Sequence, residues 1–424
     1  MAQRLLRASL PGPNRNPAIP GDVPDSSGET EEVVIKLLHT ADWHLGRRFP
    51  SFPEEAQRKL SRARMDVVAR ILDVARRNRV DAVLCAGDLF DDPTPAADFW
   101  EGLNKTFRDH DRTDHPPVFL VPGNHDPLTS ESVWAPNHPF RKDLPHWVHV
   151  VDQDNFTYDL KSDVVLLASP CRSKAGEKDL AMALPARTPG DAKIRIGCVH
   201  GSTFDLDGYQ TNFPICQDAG VQRGLDYLAI GDTHSFRDVT ASLPLPAVPT
   251  VYPGAPEPTN FDEPGAGCVA LVALFRHGSR PRVEKERVAF WQWLDQRCRS
   301  VNELRTLLTT PDLERQIVRL HLEMTVSLAE ENEVERILRE LRGTDAAHGR
   351  AGVLLVDRTN LRLQPGSGGV FPEDLPPVLR DTIARLDQLI EDAVDEAAKS
   401  RATQALAHLY QMLQNQEPSG GRSL

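Results

Sequence analysis

The sequence lacks the marks of several protein classes. Its six cysteines include no C-x-x-C pair, and Cys85 and Cys198 lie in apolar runs typical of buried strands, which argues against structural zinc and a disulfide framework. No apolar run approaches the roughly 18 residues of a membrane helix, and the N-terminus lacks the continuous apolar segment of a secretion signal. These absences predict a cytoplasmic protein without membrane association.

The sequence also has fewer basic than acidic residues. The chain has 49 Lys and Arg against 61 Asp and Glu, which gives a net charge of −12. A surface that is acidic overall cannot act as one extended basic face for nucleic acid. Any contact with nucleic acid must therefore be local.

The composition divides the 424 residues into segments. Residues 1–32 are rich in proline and predict a disordered leader. Residues 33–285 alternate short β-branched runs with amphipathic stretches, which predicts a layered α/β core, and residues 286–364 predict a small α+β domain. The remaining segments are a predicted Pro/Gly linker at 365–377, C-terminal helices at 378–416 and a disordered tail at 417–424.

The periodicity of the core predicts individual elements. A helix is expected at 55–78, with Leu60, Val67, Ile71, Leu72 and Ala75 on its buried face. Strands are expected at 33–38, 80–86, 118–121, 164–168, 194–199, 225–230, 268–275 and 316–328.

Five short polar clusters follow strands of the predicted core. Ligand sites in open α/β sheets lie beyond the carboxyl ends of the strands, so clusters spread over about 200 residues can meet at one site. The clusters are Asp42-Trp43-His44, Gly87-Asp88-Leu89-Phe90-Asp91, Gly123-Asn124-His125-Asp126, His200-Gly201 and Gly231-Asp232-Thr233-His234.

Ordinary loop chemistry explains any one of these clusters, and the ordered set is more specific. Asp and neutral His are suitable ligands for Mn²⁺, Fe²⁺ or Zn²⁺, and a site without thiolate is not typical of structural zinc. A carboxylate such as Asp88 can bridge two ions, and two ions about 3.5–4 Å apart favour in-line attack on phosphorus. The set therefore indicates a centre for phosphoester hydrolysis.

The motifs resemble a known family. The segment L-L-H-T-A-D-W-H-L-G at 37–46, followed by G-D-L-F-D and G-N-H-D, resembles the calcineurin-like metallophosphoesterases, and within them the SbcD-type DNA repair exonucleases. The resemblance covers about residues 35–275 in motif order. It implies an α/β core of two packed sheets flanked by helices, a small α+β capping domain and C-terminal helices. It further implies a nuclease subunit that partners an SMC-like coiled-coil ATPase, and a homodimer.

The resemblance also implies roles for individual residues. His125 matches the family's catalytic histidine, which assists the leaving oxygen or stabilises the pentacovalent phosphate. Asp91 has the spacing of a carboxylate that orients this histidine, and a helix-capping acid before Pro93 is the alternative. The implied ligands are Asp42, His44, Asp88 and His234 for one ion, and Asp88, Asn124, His200 and Asp232 for the other.

One position departs from the family pattern. The last motif is usually G-H-x-H, but here it is Gly231-Asp232-Thr233-His234. Asp232 can still bind a metal through oxygen, so we expect a substituted ligand and not a lost ion. The added carboxylate makes the site harder, which favours Mn²⁺, with Mg²⁺ as the alternative.

The metal ligands do not specify which ester is cleaved. A local basic rim after the first motif suits contact with DNA phosphates, and Phe49 and Phe52 are candidates for stacking on bases. A solvated helix surface is the alternative. The candidate DNA-binding residues are Arg47, Arg48, Arg58, Lys59 and Arg62.

Near the C-terminus, apolar residues recur at helical spacing, among them Leu379, Ile383, Leu386 and Ile390. They predict helices that either pack on their own domain or dock a partner. The whole sequence predicts a two-metal phosphodiesterase that cleaves DNA, in repair or in defence against foreign DNA. The alternatives are a phosphoesterase for a small molecule or a phosphoprotein, and a non-catalytic scaffold.

Overall fold

The computed structural model describes residues 32–111, 115–203, 212–243, 245–276, 280–342, 350–363 and 375–414. The predicted leader up to residue 31, the predicted linker up to residue 374 and the predicted tail lie outside these residues. Within them, no helix is both long and apolar enough to cross a membrane.

The elements alternate along the chain. The strands are β1 (Ile35–Thr40), β2 (Ala82–Ala86), β3 (Val118–Val121), β4 (Val148–Val150), β5 (Phe156–Lys161), β6 (Val164–Ala168), β7 (Ile194–His200), β8 (Tyr227–Gly231), β9 (Arg237–Asp238), β10 (Thr250–Tyr252), β11 (Cys268–Leu274), β12 (Arg282–Arg287), β13 (Gln292–Cys298), β14 (Gln316–Leu322), β15 (Thr325–Val326), β16 (Val353–Asp357) and β17 (Arg362–Leu363). The helices are α1 (Glu54–Arg77), α2 (Ala97–Asp109), α3 (Pro139–Lys142), α4 (Ala219–Arg223), α5 (Val301–Thr306), α6 (Leu328–Arg342), α7 (Pro377–Glu391) and α8 (Glu396–Gln414).

Two six-stranded sheets form the core. Their orders are β12-β11-β1-β2-β3-β4 and β5-β6-β7-β8-β10-β9. Strands β1 to β4 are parallel, as are β6, β7, β8 and β10, so the carboxyl ends of the central strands lie at a common edge. A buried apolar layer that includes Leu37, Leu84 and Ile196 lies between the sheets. The α/β fold class with two packed sheets flanked by helices is thus confirmed.

Helix α1 covers the outer face of the first sheet. Its predicted apolar face is buried, because the spacing of these residues places them on one side of the helix. Acidic residues in its first turn and Arg76 and Arg77 in its last turn oppose the helix dipole. This helix connects the edge that carries the polar clusters with the opposite edge of the sheet.

The expected strand at 316–328 is not continuous. Strand β14 ends at Leu322, the short strand β15 follows at Thr325–Val326 in another sheet, and helix α6 begins at Leu328. A capping box starts this helix: the Glu330 backbone N–H donates to Ser327 Oγ at 3.2 Å, while Glu330 Oε2 accepts the Ser327 backbone N–H at 2.8 Å. Local side-chain bonding therefore starts a helix within an apolar run.

A small parallel sheet, β13-β14-β16, packs on the core that the two larger sheets form. One of its faces contacts α5 and α6, and the other contacts the start of α1. Strands β12 and β13 are among the strands that were not predicted from the sequence, and β12 extends the first sheet to Arg287, beyond the boundary expected at residue 285. Both strands are largely polar, so their hydrophobic period is weak.

The C-terminal helices α7 and α8 pack against each other. The predicted stripe on α7 is half-buried, while Leu406 on α8 is buried. Other apolar side chains of this region are exposed: Leu389 on α7, Met412 on α8, and Val394, which is 99% exposed, in the turn between the helices.

Candidate metal centre

The predicted ligands meet at the common edge of the two sheets. Asp42 and His44 follow β1, Asp88 follows β2, Asn124 follows β3, and the remaining three lie at or after the ends of β7 and β8, namely His200, Asp232 and His234. The Asp88 Oδ2 atom is 3.7 Å from His44 Nε2 and 3.5 Å from His200 Nε2. Asp88 therefore lies between two groups of ligands, in the position that a bridging carboxylate requires.

The chain turns sharply as it leaves each strand. Asp42, His44 and Asp88 have left-handed φ values of 55°, 44° and 54°. Non-glycine residues rarely adopt this conformation, and it is found mainly at functional sites. Gly87, at φ 98°, has no room for a side chain, because a Cβ there would lie 2.1 Å from His200 Nδ1. The glycine of the G-D motif thus lets the histidine approach the carboxylate.

Two of the imidazoles are oriented by bonds at Nδ1. His200 Nδ1 donates to the Ala86 carbonyl at 2.9 Å, and His234 Nδ1 donates to Glu263 Oε1 at 2.7 Å. Each bond leaves Nε2 directed into the centre, which is the usual arrangement around metal-binding histidines. Glu263 was not predicted from the sequence, since it lies far from His234 along the chain and belongs to no motif.

Asp91 lies between His44 and His125. Its Oδ1 is 3.0 Å from His44 Nδ1 but 3.8 Å from His125 Nδ1, while His125 Nδ1 is 3.4 Å from the Asp91 carbonyl oxygen. The carboxylate therefore contacts His44 more closely than the catalytic candidate. The helix-capping alternative is wrong, because α2 begins at Ala97 with Ala96 as its N-cap.

The donor set of the site fits cations. His44 and His234 direct their Nε2 atoms at each other 3.0 Å apart, and His200 Nε2 lies 2.8 Å from Asn124 Oδ1. The Nδ1 atoms of His44 and His234 face carboxylates and that of His200 faces a carbonyl, so in the neutral imidazoles, the form that binds metals, the Nε2 atoms carry the lone pairs. Facing acceptors repel each other unless a cation lies between them. The residues thus suit two divalent ions.

The electrostatics of the centre are dominated by buried carboxylates. Burial raises the pKa of Asp42 to about 7, although His200 and His234 lower it. Burial alone would lower the pKa of His200, but Asp88, Asp42 and Asp232 raise it to about 9. The pKa of His44 is held well below its ordinary value by burial. This concentration of negative charge is what divalent cations neutralise.

Asp232, the residue that departs from the family pattern, faces the centre. Its Oδ1 is 3.7 Å from His200 Nε2, and its Oδ2 accepts a hydrogen bond from Ser202 Oγ at 2.6 Å. Its backbone N–H donates to the carboxylate of Asp42 at 3.1 Å. One oxygen of Asp232 is thus fixed by Ser202 while the other points at the ligands.

Asp126, the last residue of the G-N-H-D motif, acts as a scaffold. Its Oδ1 accepts the Gly123 backbone N–H at 2.8 Å and its Oδ2 accepts the Phe90 backbone N–H at 2.9 Å. The carboxyl is fully buried, and burial raises its pKa well above the ordinary value. Asp126 therefore ties the loop after β3 to the loop after β2.

His125 lies on the side of the centre that is open to solvent. Its side chain is 43% exposed, whereas those of His44 and His200 are buried. Its backbone N–H donates to Asp88 Oδ1 at 2.9 Å, which fixes it beside the bridging position. His125 can therefore reach a substrate that approaches from solvent.

The candidate basic rim is largely paired with acidic side chains. Along α1, each of the pairs Arg58–Glu54, Lys59–Glu55 and Arg62–Asp66 lies one helical turn apart, and Arg47 Nη1 is 3.4 Å from Asp91 Oδ1. Arg48 is exposed.

The expected stacking role of Phe49 and Phe52 is wrong. The two rings are only 5% and 8% exposed, and they pack against Trp293 of the small sheet. The apolar contact between the core and this sheet occupies them, so they cannot receive a base.

Comparisons with known proteins agree with this geometry. Residues 35–236 match the model of the family described as calcineurin-like phosphoesterase. An uncharacterized metallophosphoesterase, YhaO of Bacillus subtilis (strain 168), is 27% identical over 266 residues, which cover 61% of this chain and 62% of that protein. The SbcD subunit of the nuclease SbcCD of Rhodobacter capsulatus is 27% identical over 171 residues, 40% of this chain and 39% of the relative. The DNA double-strand break repair protein Mre11 of Saccharolobus solfataricus is 22% identical over 203 residues, 48% of this chain and 50% of the relative.

The matches span less than two thirds of the length of each of these relatives. Among solved structures, TT1561 of Thermus thermophilus covers 61% of this chain and 100% of its own, with 13% identity and a TM-score of 0.37. A likeness at that level supports no conclusion about function.

Residues 35–236 of this chain are a calcineurin-like metallophosphoesterase domain, and this confirms the resemblance seen in the motifs. Homologues of the domain include the SbcD subunit of the nuclease SbcCD and Mre11, at modest identity.

Glu263 provides a test of how the centre is assembled. We expect Glu263→Gln to weaken metal binding by about 10- to 100-fold, because His234 loses the carboxylate that fixes its tautomer and ring orientation. Calorimetric titration with Mn²⁺ measures this effect. The matched control is Asp262→Asn, which removes a neighbouring exposed charge. Equal Mn²⁺ affinity in both variants would contradict the orienting role.

Proposed function

We propose that the protein is a two-metal phosphodiesterase that cleaves DNA as the nuclease subunit of a complex with an SMC-like coiled-coil ATPase. The observation that carries the proposal is the meeting of acceptor atoms around Asp88, with the exposed His125 beside them. This arrangement combines sites for two cations with a proton-carrying group that is open to solvent.

Two groups of residues would hold the ions. Asp88 would bridge both, and the oxygen-rich set at Asp232 favours Mn²⁺. When bound, a pair of divalent ions supplies the Lewis acidity that opens phosphorus to attack by water. The ligand groups are Asp42, His44, Asp88 and His234, and Asp88, Asn124, His200 and Asp232.

His125 would act on the leaving group. Its Nδ1 faces Asp91, with the carbonyl oxygen at 3.4 Å, and this leaves Nε2 available to the substrate. A proton held at Nε2 can pass to the leaving sugar oxygen or stabilise the charge that develops on the phosphate. Asp91 also contacts the predicted ligand His44, so it would position both His125 and His44.

Two observations support DNA as the substrate: a groove beside the metal centre, and the similarity to nuclease and repair proteins. A groove of about 1880 Å³ between α1 and α2 runs from Asp91 past Arg47, Arg48, Arg58 and Arg62, and its lining holds five basic and six acidic residues. A groove of this size is larger than a pocket for a small molecule. The SbcD subunit of SbcCD and Mre11, which share this domain, are named for nuclease and double-strand break repair functions.

The ATPase partner would dock on the C-terminal helices. From residue 373 to residue 399 the sequence has eight acidic and three basic residues, which suits a basic face on the partner. The exposed Leu389 and Met412 on these two helices, and Val394 in the turn between them, supply apolar contact area.

Substitution of the exposed apolar residues tests this docking. We expect Leu389→Asp with Met412→Asp to reduce co-purification with a coiled-coil ATPase at least tenfold, since charges would be buried in the contact. The control is Val221→Asp, an exposed apolar position on α4. Undiminished co-purification would show that the partner, if one binds, uses another surface.

Two substitutions separate metal binding from proton transfer. We expect His125→Ala to lower turnover by about 100- to 10,000-fold while both ions are retained, and Asp88→Asn to empty both sites. The measurements are Mn²⁺ content per chain and hydrolysis of linear duplex DNA, single-stranded DNA and small aryl phosphomonoesters and phosphodiesters. DNA cleavage that disappears in His125→Ala supports the proposal. Activity confined to the small esters, or two ions in Asp88→Asn, would contradict it.

A further inference from the structure

A second group of arginines lies at the far end of α1. A cavity of about 420 Å³ opens between the end of this helix, the end of β12 and the start of the small sheet. Its lining includes one acidic residue, Asp73, and an aromatic ring, Phe290, which is 37% exposed. The arginines that line it are Arg70, Arg76, Arg77, Arg287 and Arg315.

The positive charge of this arginine pocket is only partly neutralised. Arg70 pairs with the buried Glu257 at 2.6 Å, Arg76 pairs with Asp73 at 3.3 Å, and Arg77 is 3.8 Å from Glu286. Within the described part of the chain, Arg287 and Arg315 form no ion pair. Two of the five pocket arginines are therefore without an acidic partner, whereas Arg58 and Arg62 at the other end of α1 each have one a helical turn away.

Two of the arginines are held in place by neutral partners. Arg287 Nη2 donates to the Trp291 carbonyl at 3.0 Å, and the Arg315 guanidinium lies 5.0 Å from the centroid of the Phe290 ring. Burial lowers the pKa of Arg70, Glu257 raises it, and the nearby Arg315 lowers it again. Guanidinium groups that are held by neutral partners, as those of Arg287 and Arg315 are, remain suited to phosphate oxygens.

The pocket lies farther along α1 than the part of the helix that contacts the metal centre. Arg64 of α1 donates to the Trp43 carbonyl at 3.0 Å, beside the ligands Asp42 and His44. From Arg64 to Arg76, a rise of about 1.5 Å per residue carries the helix about 18 Å. A duplex that rises about 3.4 Å per base pair covers this distance in about five base pairs.

We propose that the arginine pocket is a second phosphate-binding site, which holds the backbone of a nucleic acid strand at a distance from the bond that is cleaved. The inference rests on the proposed nuclease function. It explains how a chain with a net charge of −12 could hold a polyanion: through one local cluster of guanidinium groups. Phe290 adds a ring that can contact a sugar or a base.

The test measures binding without cleavage. Wild-type protein and Arg287→Ala/Arg315→Ala are titrated with a fluorescent duplex and a single-stranded oligonucleotide in EDTA, over a series of salt concentrations. We expect the variant to bind about five- to tenfold more weakly, with a salt slope reduced by about two. The matched control is Arg282→Ala/Arg299→Ala, which removes equal charge from exposed positions outside the pocket. Arg287→Lys/Arg315→Lys, which keeps the charge, should bind more tightly than the alanine variant.

Equal affinity and salt slope in the pocket variant and its control would overturn the proposal. So would binding of a mononucleotide or inorganic phosphate to the pocket as tightly as the oligonucleotide, since the site would then serve a free anion. Hydrolysis of a small aryl phosphodiester in Mn²⁺ should be the same in all variants. A protein that binds the oligonucleotide through the pocket but cleaves no DNA would contradict the nuclease function and leave the pocket assignment intact.

Discussion

The mutual repulsion of buried acceptor atoms at one sheet edge is the constraint on which this structure depends. Three carboxylates and the lone pairs of three imidazoles meet there with little access to solvent. The fold tolerates this because each group has a second bond that fixes it: His200 to the Ala86 carbonyl, His234 to Glu263, and Asp232 to Ser202. Two divalent ions bound between these carboxylates and imidazole nitrogens would remove the repulsion, because the same atoms would then be metal ligands.

The predicted metal ligands could be found from the sequence because each polar motif begins where an apolar strand ends. Apolar runs stop at Thr40, Ala86, Val121 and His200, and the polar residues follow at once. In a parallel sheet those positions must share one edge. The residues that hold these ligands in place could not be predicted in the same way. Glu263 reaches His234 through a loop, and the roles of Asp126 and Asp91 depend on the distances to individual atoms.

The small sheet shows a further limit of sequence patterns. Phe49 and Phe52 stand next to a ligand motif and could have faced a substrate, but β13 and β14 cover them. The count of charged residues likewise predicted a basic surface at the start of α1. In the structure Arg58 and Arg62 there form ion pairs with acidic residues of the same helix. Of the arginines at the other end of α1, only some form ion pairs. Pairing of charges depends on geometry, which a count of residues does not contain.

The most direct test of a two-metal centre in this protein is anomalous diffraction from crystals grown with Mn²⁺. We predict two peaks about 3.5–4 Å apart on either side of the Asp88 carboxylate, one beside His44 and His234 and the other beside Asn124, His200 and Asp232. A single peak, or a pair of peaks that does not include Asp232 among its ligands, would contradict the claim that Asp232 replaces the family's histidine at a two-metal centre.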